Sequence, residues 1–461
     1  MNSALRLAIT VAGFGLWSSQ ANAASDYTLE PCCDLCPEAL SSASYDSKYL
    51  SFFRTLVPGE NDWLYRTEND LRTEFGTDEA GYRGLKQLNA ALKAKGVDLV
   101  IVYQPTRGLM NPENLYAGDR KNFNSALAKN NYTHALESFR SAGIHTPDLS
   151  RLFDAPFSQD YFFRGDHHWT PYGAARTAEI VAESIKTLPS FSEIPSVRFV
   201  TKQEGLLGKR GTLHKAAAQI CGHGYADQYV GKLVTEPAEE TDNLFGDEQT
   251  PQVVLVGTSN SESTYNFDGA LKQYLSADIL NVAATGGGYD GAMLQYLPSE
   301  DFQQTPPKIL IWEFEPHYNL SQSMFFRRAL PLIENGCENK EALLTQTSPL
   351  KAGKNQVLFN GANGVLPISS GKYVIDLKYD NPEARQLKGI VWYMNGRKEN
   401  LNIDVSSYIT TQGRFVFELR DDAEWKNLTF LSLELELPEN LPEGTKVNAK
   451  LCSGTEHLVA K

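Results

Sequence analysis

The stretch Gln252-Val253-Val254-Leu255-Val256-Gly257-Thr258-Ser259-Asn260-Ser261 decides the fold. Its apolar, β-branched run is typical of a strand buried in a parallel sheet, and the run ends at a glycine followed by small polar residues. In an open α/β sheet, ligands bind beyond the carboxyl ends of the strands, so Ser259 is predicted to face a crevice as a nucleophile. The alternative is that these serines only cap the next helix.

Helical and apolar segments alternate along the chain on both sides of this strand. Leu85, Leu88 and Leu92 recur at helical spacing, and Gly96 ends that helix before a strand over 97–103. We predict further helices over 134–142, 174–188 and 268–276, and further strands near Ile144 and over 279–283 and 308–314. Helices alternating with buried strands predict a doubly wound parallel α/β sheet.

Beyond Cys337 the apolar residues recur with a period of two, most clearly over 430–437. Turn residues such as Asn395-Gly396 separate these segments, which predicts an antiparallel β-sandwich of about 100 residues. We predict a signal peptide over 1–23, an α/β domain over 24–342 and the sandwich over 343–461.

Composition and the N-terminus indicate an exported protein. The chain has 461 residues, which favours two domains, and its formal net charge of −13 argues against nucleic-acid binding. Arg6, the apolar residues 7–17 and Ala21-Asn22-Ala23 predict a signal peptide cleaved after Ala23. No later segment reaches the ~18 apolar residues of a membrane span.

Cysteine usage supports the same compartment, because disulfides persist outside the cytoplasm. The six cysteines are Cys32, Cys33, Cys36, Cys221, Cys337 and Cys452. A Cys337–Cys452 bridge would close the C-terminal module at its two ends. Cys221 could pair with one of the first three, with Cys36 favoured and the other two unassigned. A metal site at Cys33-x-x-Cys36 lacks a matching second pair, so no metal is predicted.

A second polar segment, Gly165-Asp166-His167-His168-Trp169, precedes a helix that Thr170 caps and Pro171 begins. A serine nucleophile needs a base, and the base needs a third group that orients its imidazole. Asp166 and His168 can lie on one side of an extended loop, with His167 pointing the other way. The alternatives are metal binding or ordinary loop polarity, but adjacent histidines lack the spacing of a helical zinc pair.

An oxyanion in the transition state needs hydrogen-bond donors. The backbone N–H groups of Ser259 and of Gly287, in the glycine-rich turn after the strand over 279–283, are predicted to supply them, because glycine allows a close backbone approach. The alternative is that the glycines only form a flexible turn.

Together these motifs resemble the SGNH hydrolase superfamily, except that the acid and base precede the serine in the chain. That order resembles one branch, the alginate O-acetyltransferases of the AlgX/AlgJ type. The segments that carry this resemblance are Asp62-Trp63-Leu64-Tyr65-Arg66, Tyr103-Gln104-Pro105-Thr106-Arg107-Gly108-Leu109, Gly165-Asp166-His167-His168-Trp169-Thr170-Pro171, Gly257-Thr258-Ser259-Asn260-Ser261, Tyr265-Asn266-Phe267, Gly286-Gly287-Gly288, Ile311-Trp312-Glu313-Phe314 and Trp392-Tyr393-Met394-Asn395-Gly396-Arg397.

The resemblance implies roles for individual residues. It implies that Ser259 is the nucleophile, His168 the base and Asp166 the orienting acid, and that Tyr265 lies in the active site. It also implies disulfides Cys36–Cys221 and Cys337–Cys452.

The resemblance further implies a carbohydrate-binding sandwich. Lys388 and Trp392, an even number apart on one strand face, would meet an acidic sugar, with Arg397 and Lys398 beside them. Ile390 stands where the family has a threonine. The alternative for Trp392 is a place in the sandwich core.

The implied activity is periplasmic O-acetyl transfer to the 2- or 3-hydroxyls of mannuronate in alginate, through an acetyl-serine and without a cofactor. The implied partners are alginate, other alginate biosynthesis and export proteins, and an acetyl donor delivered by a partner or a small molecule. Two alternatives remain: an acetylesterase with the same triad, or a scaffold that guides polymer during export.

Overall fold

The computed structural model describes residues 27–28, 34–238, 250–362, 364–369, 371, 373–439 and 444–454. The predicted signal peptide, Cys32 and Cys33 lie outside the described residues.

The described residues form the following strands and α-helices. The strands are β1 (Tyr27–Thr28), β2 (Leu56–Pro58), β3 (Leu64–Arg66), β4 (Asp98–Tyr103), β5 (Phe199–Lys209), β6 (Gln228–Pro237), β7 (Val253–Val256), β8 (Ile279–Asn281), β9 (Ile309–Phe314), β10 (Ala342–Pro349), β11 (Gly353–Phe359), β12 (Tyr373–Tyr379), β13 (Gln386–Tyr393), β14 (Lys398–Asp404), β15 (Arg414–Glu418), β16 (Phe430–Leu437) and β17 (Lys446–Ser453). The α-helices are α1 (Lys48–Ser51), α2 (Thr67–Asp70), α3 (Glu79–Ala94), α4 (Arg107–Met110), α5 (Ala117–Asn122), α6 (Ser125–Ser141), α7 (Pro171–Ile185), α8 (Thr212–Cys221), α9 (Phe267–Leu275), α10 (Gly291–Tyr296), α11 (Glu300–Gln304) and α12 (Ser323–Ile333).

A four-stranded parallel sheet of order β4-β9-β7-β8 forms the centre of the N-terminal domain. Every residue of β7 and of β9 is buried, as expected for strands covered on both faces. Helices α3 and α12 pack on each other, as do α7 and α9, and all join one hydrophobic core with the sheet. The predicted α/β fold is confirmed.

Four predicted elements differ from the structure by two or more residues, one of them the helix predicted over 174–188, which is α7 (Pro171–Ile185). The predicted strand near Ile144 is wrong: His145 makes only an isolated parallel bridge to Val100, because Pro147 soon removes a backbone donor. The helix predicted from His134 begins at Ser125, where the Asn124 side chain accepts from the Leu127 N–H. Strand β8 ends at Asn281.

An unpredicted antiparallel pair, β5 and β6, joins β1 in a separate sheet. Helix α8 lies between β5 and β6 in the chain, and the Cys36–Cys221 disulfide ties its last residue to the N-terminal segment. The end of this pair reaches the candidate active site, where Lys209 is bonded to Tyr265.

The C-terminal region forms the predicted antiparallel sandwich. Its two sheets have the orders β10-β17-β12-β15 and β11-β16-β13-β14, and their inner faces share one apolar core. The Cys337–Cys452 disulfide joins the approach to β10 to strand β17. The exact domain boundary at 342 and 343 stays a prediction.

The two disulfides indicate an oxidising compartment outside the cytoplasm. Among the described residues, none of the helices has the length and apolar character needed to cross a membrane.

Candidate active site

Ser259, His168 and Asp166 form a hydrogen-bonded series at the carboxyl end of β7. His168 Nε2 lies 2.8 Å from Ser259 Oγ, and His168 Nδ1 lies 2.5 Å from Asp166 Oδ1. Ser259 is partly exposed, whereas Asp166 is fully buried. A base that contacts the hydroxyl and is oriented by a carboxylate has the geometry of an activated serine nucleophile.

The Asp166 carboxylate is held by the backbone as well as by the imidazole. Oδ1 accepts from the His168 N–H at 3.0 Å, and Oδ2 accepts from the Thr212 N–H at 2.8 Å. Burial raises the pKa of Asp166, but the charge and hydrogen bond of His168 outweigh it and hold this pKa well below its usual range. The carboxylate is therefore ionised and fixes the orientation of the ring.

A buried arginine holds the loop that carries Asp166 and His168. The Arg107 guanidinium donates to the carbonyl oxygens of Leu64, Phe163, Arg164 and Asp166 at 2.6 to 3.2 Å. Its planar fork of donors suits such a cluster of acceptors. These bonds set the backbone on both sides of Gly165.

Glu313, buried in β9, holds the turn of the nucleophile. Its carboxyl group accepts from the Thr258 N–H at 2.9 Å, and from the hydroxyls of Thr258 and Ser261 at 3.0 Å each. Glu315 accepts from the Asn260 side-chain amide at 2.8 Å. Burial raises the pKa of Glu313 to about 7 despite these hydrogen bonds. Residues on both sides of Ser259 are thus fixed by β9 and by Glu315, which follows its last residue.

Tyr265 lies against the base. Its ring stacks on the His168 imidazole with centroids 5.0 Å apart, and its hydroxyl accepts a short hydrogen bond from Lys209 Nζ at the end of β5. Burial, followed by the charges of Asp166 and Glu262, raises the pKa of Tyr265. The tyrosine is neutral at physiological pH and brings a cation to the site.

The prediction that His167 points away from His168 is wrong. The loop turns and bends instead of extending, so the two imidazole rings lie 3.8 Å apart and His167 Nδ1 lies 2.7 Å from Thr212 Oγ1. Burial and the neighbouring His168 charge lower the pKa of His167 well below its usual range.

The only potential metal-binding cluster within the described residues is Asp166, His167 and His168. Its donor atoms are already bonded to one another, to Thr212 and to Ser259. A metal ion would have to displace these hydrogen bonds, including the one that orients the His168 ring.

The glycine-rich turn lies between the nucleophile and the sandwich. The Ala284 N–H donates to the Gly257 carbonyl at 3.1 Å, which ties the start of the turn to the end of β7. Gly287 itself is buried, with the Ile409 side chain next to it. The Gly287 N–H donates to the Ala284 carbonyl at 3.0 Å and would have to exchange that bond to serve an oxyanion, so the oxyanion role of Gly287 stays a prediction.

Three of the four predicted sugar-binding residues lie on the outward face of the sandwich. Lys388, Ile390 and Trp392 alternate with core residues along β13, so the alternative of a core Trp392 is wrong. Lys398 Nζ lies 5.8 Å from the centre of the Trp392 ring. Lys388 Nζ lies 3.1 Å from Glu436 Oε1, in an exposed ion pair that a ligand can displace at small cost.

Arg397 is not part of this group. Its guanidinium lies 5.1 Å from the centre of the Trp425 ring and donates to Glu424 Oε2 at 3.0 Å. The structure therefore separates Arg397 from Trp392, whereas Lys398 lies beside Trp392.

Sequence reasoning missed Arg107, Lys209, Glu313 and Glu315 as parts of the site. A charged residue inside an apolar run is a usable signal for Glu313, because burying an unpaired charge is costly. No local signal identifies Lys209, which lies in a strand of mixed exposure.

Comparison with protein families matches both regions of the chain. The family described as "SGNH hydrolase-like domain, acetyltransferase AlgX" matches residues 56–316. The family described as "C-terminal carbohydrate-binding module" matches residues 336–461.

Individual relatives agree with these families. "Alginate biosynthesis protein AlgX" of Pseudomonas aeruginosa is 50% identical over 452 residues, which cover 98% of this chain and 95% of the relative. "Probable alginate O-acetylase AlgJ" of the same organism is 31% identical over 285 residues, or 57% of this chain and 70% of the relative. The solved structure titled "Structural and functional characterization of Pseudomonas aeruginosa AlgX" superposes with a TM-score of 0.86 at 50% identity, over 91% of this chain and 100% of that chain.

Proposed function

The chain belongs to the family of alginate biosynthesis proteins named AlgX, and on that premise we propose that it transfers acetyl groups to mannuronate hydroxyls in alginate. The observation that carries the proposal is the Ser259–His168–Asp166 geometry, with hydrogen bonds of 2.8 and 2.5 Å. An acetyltransferase domain and a carbohydrate-binding module in one chain suit an acetylation reaction on a polysaccharide.

The reaction has two halves. Ser259 Oγ attacks the carbonyl carbon of the acetyl donor while His168 Nε2 takes the hydroxyl proton, and the departing group of the donor then receives that proton. The product is an acetyl-serine ester. Asp166 remains a carboxylate throughout and stabilises the imidazolium.

In the second half, a 2- or 3-hydroxyl of mannuronate loses its proton to His168 Nε2 and attacks the ester carbonyl. The C–O bond to Ser259 breaks, and Ser259 Oγ regains the proton from His168. We propose that the backbone N–H of Ser259 stabilises the oxyanion, that the Gly287 N–H joins it by exchanging its bond to the Ala284 carbonyl, and that Tyr265, bonded to Lys209, borders it. No cofactor enters these steps.

The outward face of β13 and β14 is the proposed polymer-binding surface. The Trp392 ring stacks on a pyranose, while the ammonium groups of Lys388 and Lys398 meet uronate carboxylates. The proposed location is the periplasm, where other alginate biosynthesis and export proteins would deliver the polymer and the acetyl donor.

The test incubates the purified protein with oligomannuronate and a surrogate acetyl ester, followed by mass spectrometry of the sugar. The wild type should add about 42 Da per acetyl group through the acetyl-serine route, and Ser259→Ala should add none. Ser263→Ala is the matched control, because that hydroxyl bonds to Asp268 on an exposed turn.

Free acetate with unmodified sugar would instead show an acetylesterase with the same triad. Full acetylation of polymer by cells that carry only Ser259→Ala would show that the protein acts as a scaffold.

A further inference from the structure

The segment 405–413, between β14 and β15 of the sandwich, is fixed onto the glycine-rich turn of the α/β domain. Ser406 Oγ donates to the Gly286 carbonyl at 2.7 Å, and the Thr410 N–H donates to Gln295 Oε1 at 2.8 Å. Between these bonds the Ile409 side chain is buried against Gly287. Two hydrogen bonds and one apolar contact therefore fix this segment in place across the domain junction.

Tyr408 lies in the middle of that fixed segment and is nevertheless 70% exposed. Its ring rests against Gly286, where a Cβ atom would come within 2.4 Å of ring atom Cδ2. Gly286 also has a φ of +73°, which favours glycine. A tyrosine with few rotatable bonds, on a rigid support, presents a large contact area at low entropic cost.

Tyr408 lies between the proposed polymer surface and the nucleophile. Strand β14 carries Lys398 at its start, beside Trp392, and runs six residues to Asp404, a distance of about 20 Å. Tyr408 follows four residues later. On its other side, the glycine-rich turn is bonded to Gly257, two residues before Ser259.

The Arg385 guanidinium is bonded to the residue that follows Tyr408. Arg385 Nε lies 3.4 Å from the Ile409 carbonyl, and Arg385 Nη2 is paired with Glu383 Oε2 in an exposed contact that a carboxylate can replace. An exposed aromatic ring, with a guanidinium bonded to the next residue of the same segment, suits a uronic acid, whose ring C–H groups stack and whose carboxylate pairs.

We propose that Tyr408 is a sugar-binding residue at the domain junction, over which an acidic polysaccharide passes from the outward face of β13 and β14 to Ser259. One pyranose stacks on the Tyr408 ring and holds the polymer on its path toward the nucleophile. This inference rests on the proposed function and adds a site to it.

The test measures binding and acetyl transfer with a long oligomannuronate, one that can span β14, using wild type, Tyr408→Ala and Tyr408→Phe. Loss of the ring should weaken binding of the long oligomer about tenfold and raise KM for transfer by a similar factor. The kcat should not change, because the contact is equal in ground and transition states. Tyr408→Phe keeps the ring and should bind like the wild type.

Tyr116→Ala, which removes an exposed tyrosine of the α/β domain, is the control and should leave both constants unchanged. Unchanged binding of the long oligomer by Tyr408→Ala would overturn the inference, as would an equal loss in Tyr408→Phe.

Failure of the proposed function is distinguishable from failure of the Tyr408 inference. In that case the wild type binds the oligomer but never acetylates it. If Tyr408→Ala cleaves the surrogate ester at the wild-type rate, the variant is folded and its triad is intact. A tenfold loss of oligomer binding in that variant then supports Tyr408 as a sugar-binding residue.

Discussion

Glu313 is a buried carboxyl group whose charge changes near neutral pH. Its pKa in the folded chain is about 7, above the ~4.3 of an unfolded glutamate. The stability it contributes is full below pH ~4.3 and is lost as pH rises through about 7, at no more than ~1.4 kcal/mol per pH unit. Glu313→Gln cannot titrate and should not show this loss. The difference in unfolding free energy, wild type minus variant, should therefore decrease as pH rises from ~4.3 to about 7. Urea unfolding at several pH values measures it.

The control for that experiment is Glu341→Gln, an exposed acid in the same chain. Its difference from wild type should stay flat with pH. A flat difference for Glu313→Gln as well would show that Glu313 titrates as an ordinary carboxyl group.

At the residue scale, the candidate triad could be proposed from the sequence because its members follow recognisable local signals. Ser259 follows a buried strand, and His168 and Asp166 precede a helix that Thr170 caps. Glu313 could not be placed in the same way, since its partners Thr258 and Ser261 lie more than 50 positions away in the chain. Only the parallel register of β7 and β9 brings them together.

The β5–β6 pair is the element that delivers a cation to the active site. Lys209, the last residue of β5, donates to the Tyr265 hydroxyl and helps to hold the pKa of Asp166 low. Lys209→Met keeps the apolar length of the side chain but removes the charge. We expect kcat for acetyl transfer to fall about 10-fold to 100-fold with little change in KM, because a positioned donor acts mainly in the transition state. Steady-state kinetics with oligomannuronate checks this.

Lys202→Met is the matched control, because Lys202 lies exposed on the same strand. It should keep wild-type kinetics. If Lys209→Met raised KM alone, Lys209 would act in binding the substrate and not in the chemical step.

At the element scale, hydrophobic period and glycine positions predicted the central strands and the sandwich. They did not predict β5, because most of its eleven residues are exposed or only partly buried and show no regular alternation. Its stability comes from pairing with β6 over nine registered positions, an interaction between segments that periodicity does not detect. The cation of the site was therefore missed together with the element that carries it.

At the scale of the whole molecule, a buried ion pair joins the two domains. Arg327 on α12 bonds to both carboxylate oxygens of Glu399 on β14 at 2.5 and 3.2 Å, and its Nε donates to the Glu418 carbonyl at 2.9 Å. Both side chains are less than a tenth exposed. Strand β14 also carries Lys398 and leads to Tyr408, so this contact fixes the proposed polymer path relative to the α/β domain.

Glu399→Ala should destabilise the protein by about 3–5 kcal/mol, because it leaves the Arg327 guanidinium buried without its partner. Urea unfolding measures the change, with Glu183→Ala as the control: that residue belongs to an exposed pair with Arg151 and should cost about 0.2–1 kcal/mol. The double variant Arg327→Met/Glu399→Leu should recover most of the loss, since apolar groups of similar volume fill the site without a charge. A Glu399→Ala cost as small as the control would mean that water reaches the junction. The expected recovery in the double variant would show that packing of the buried volume at the domain junction contributes more to stability than the two charges do.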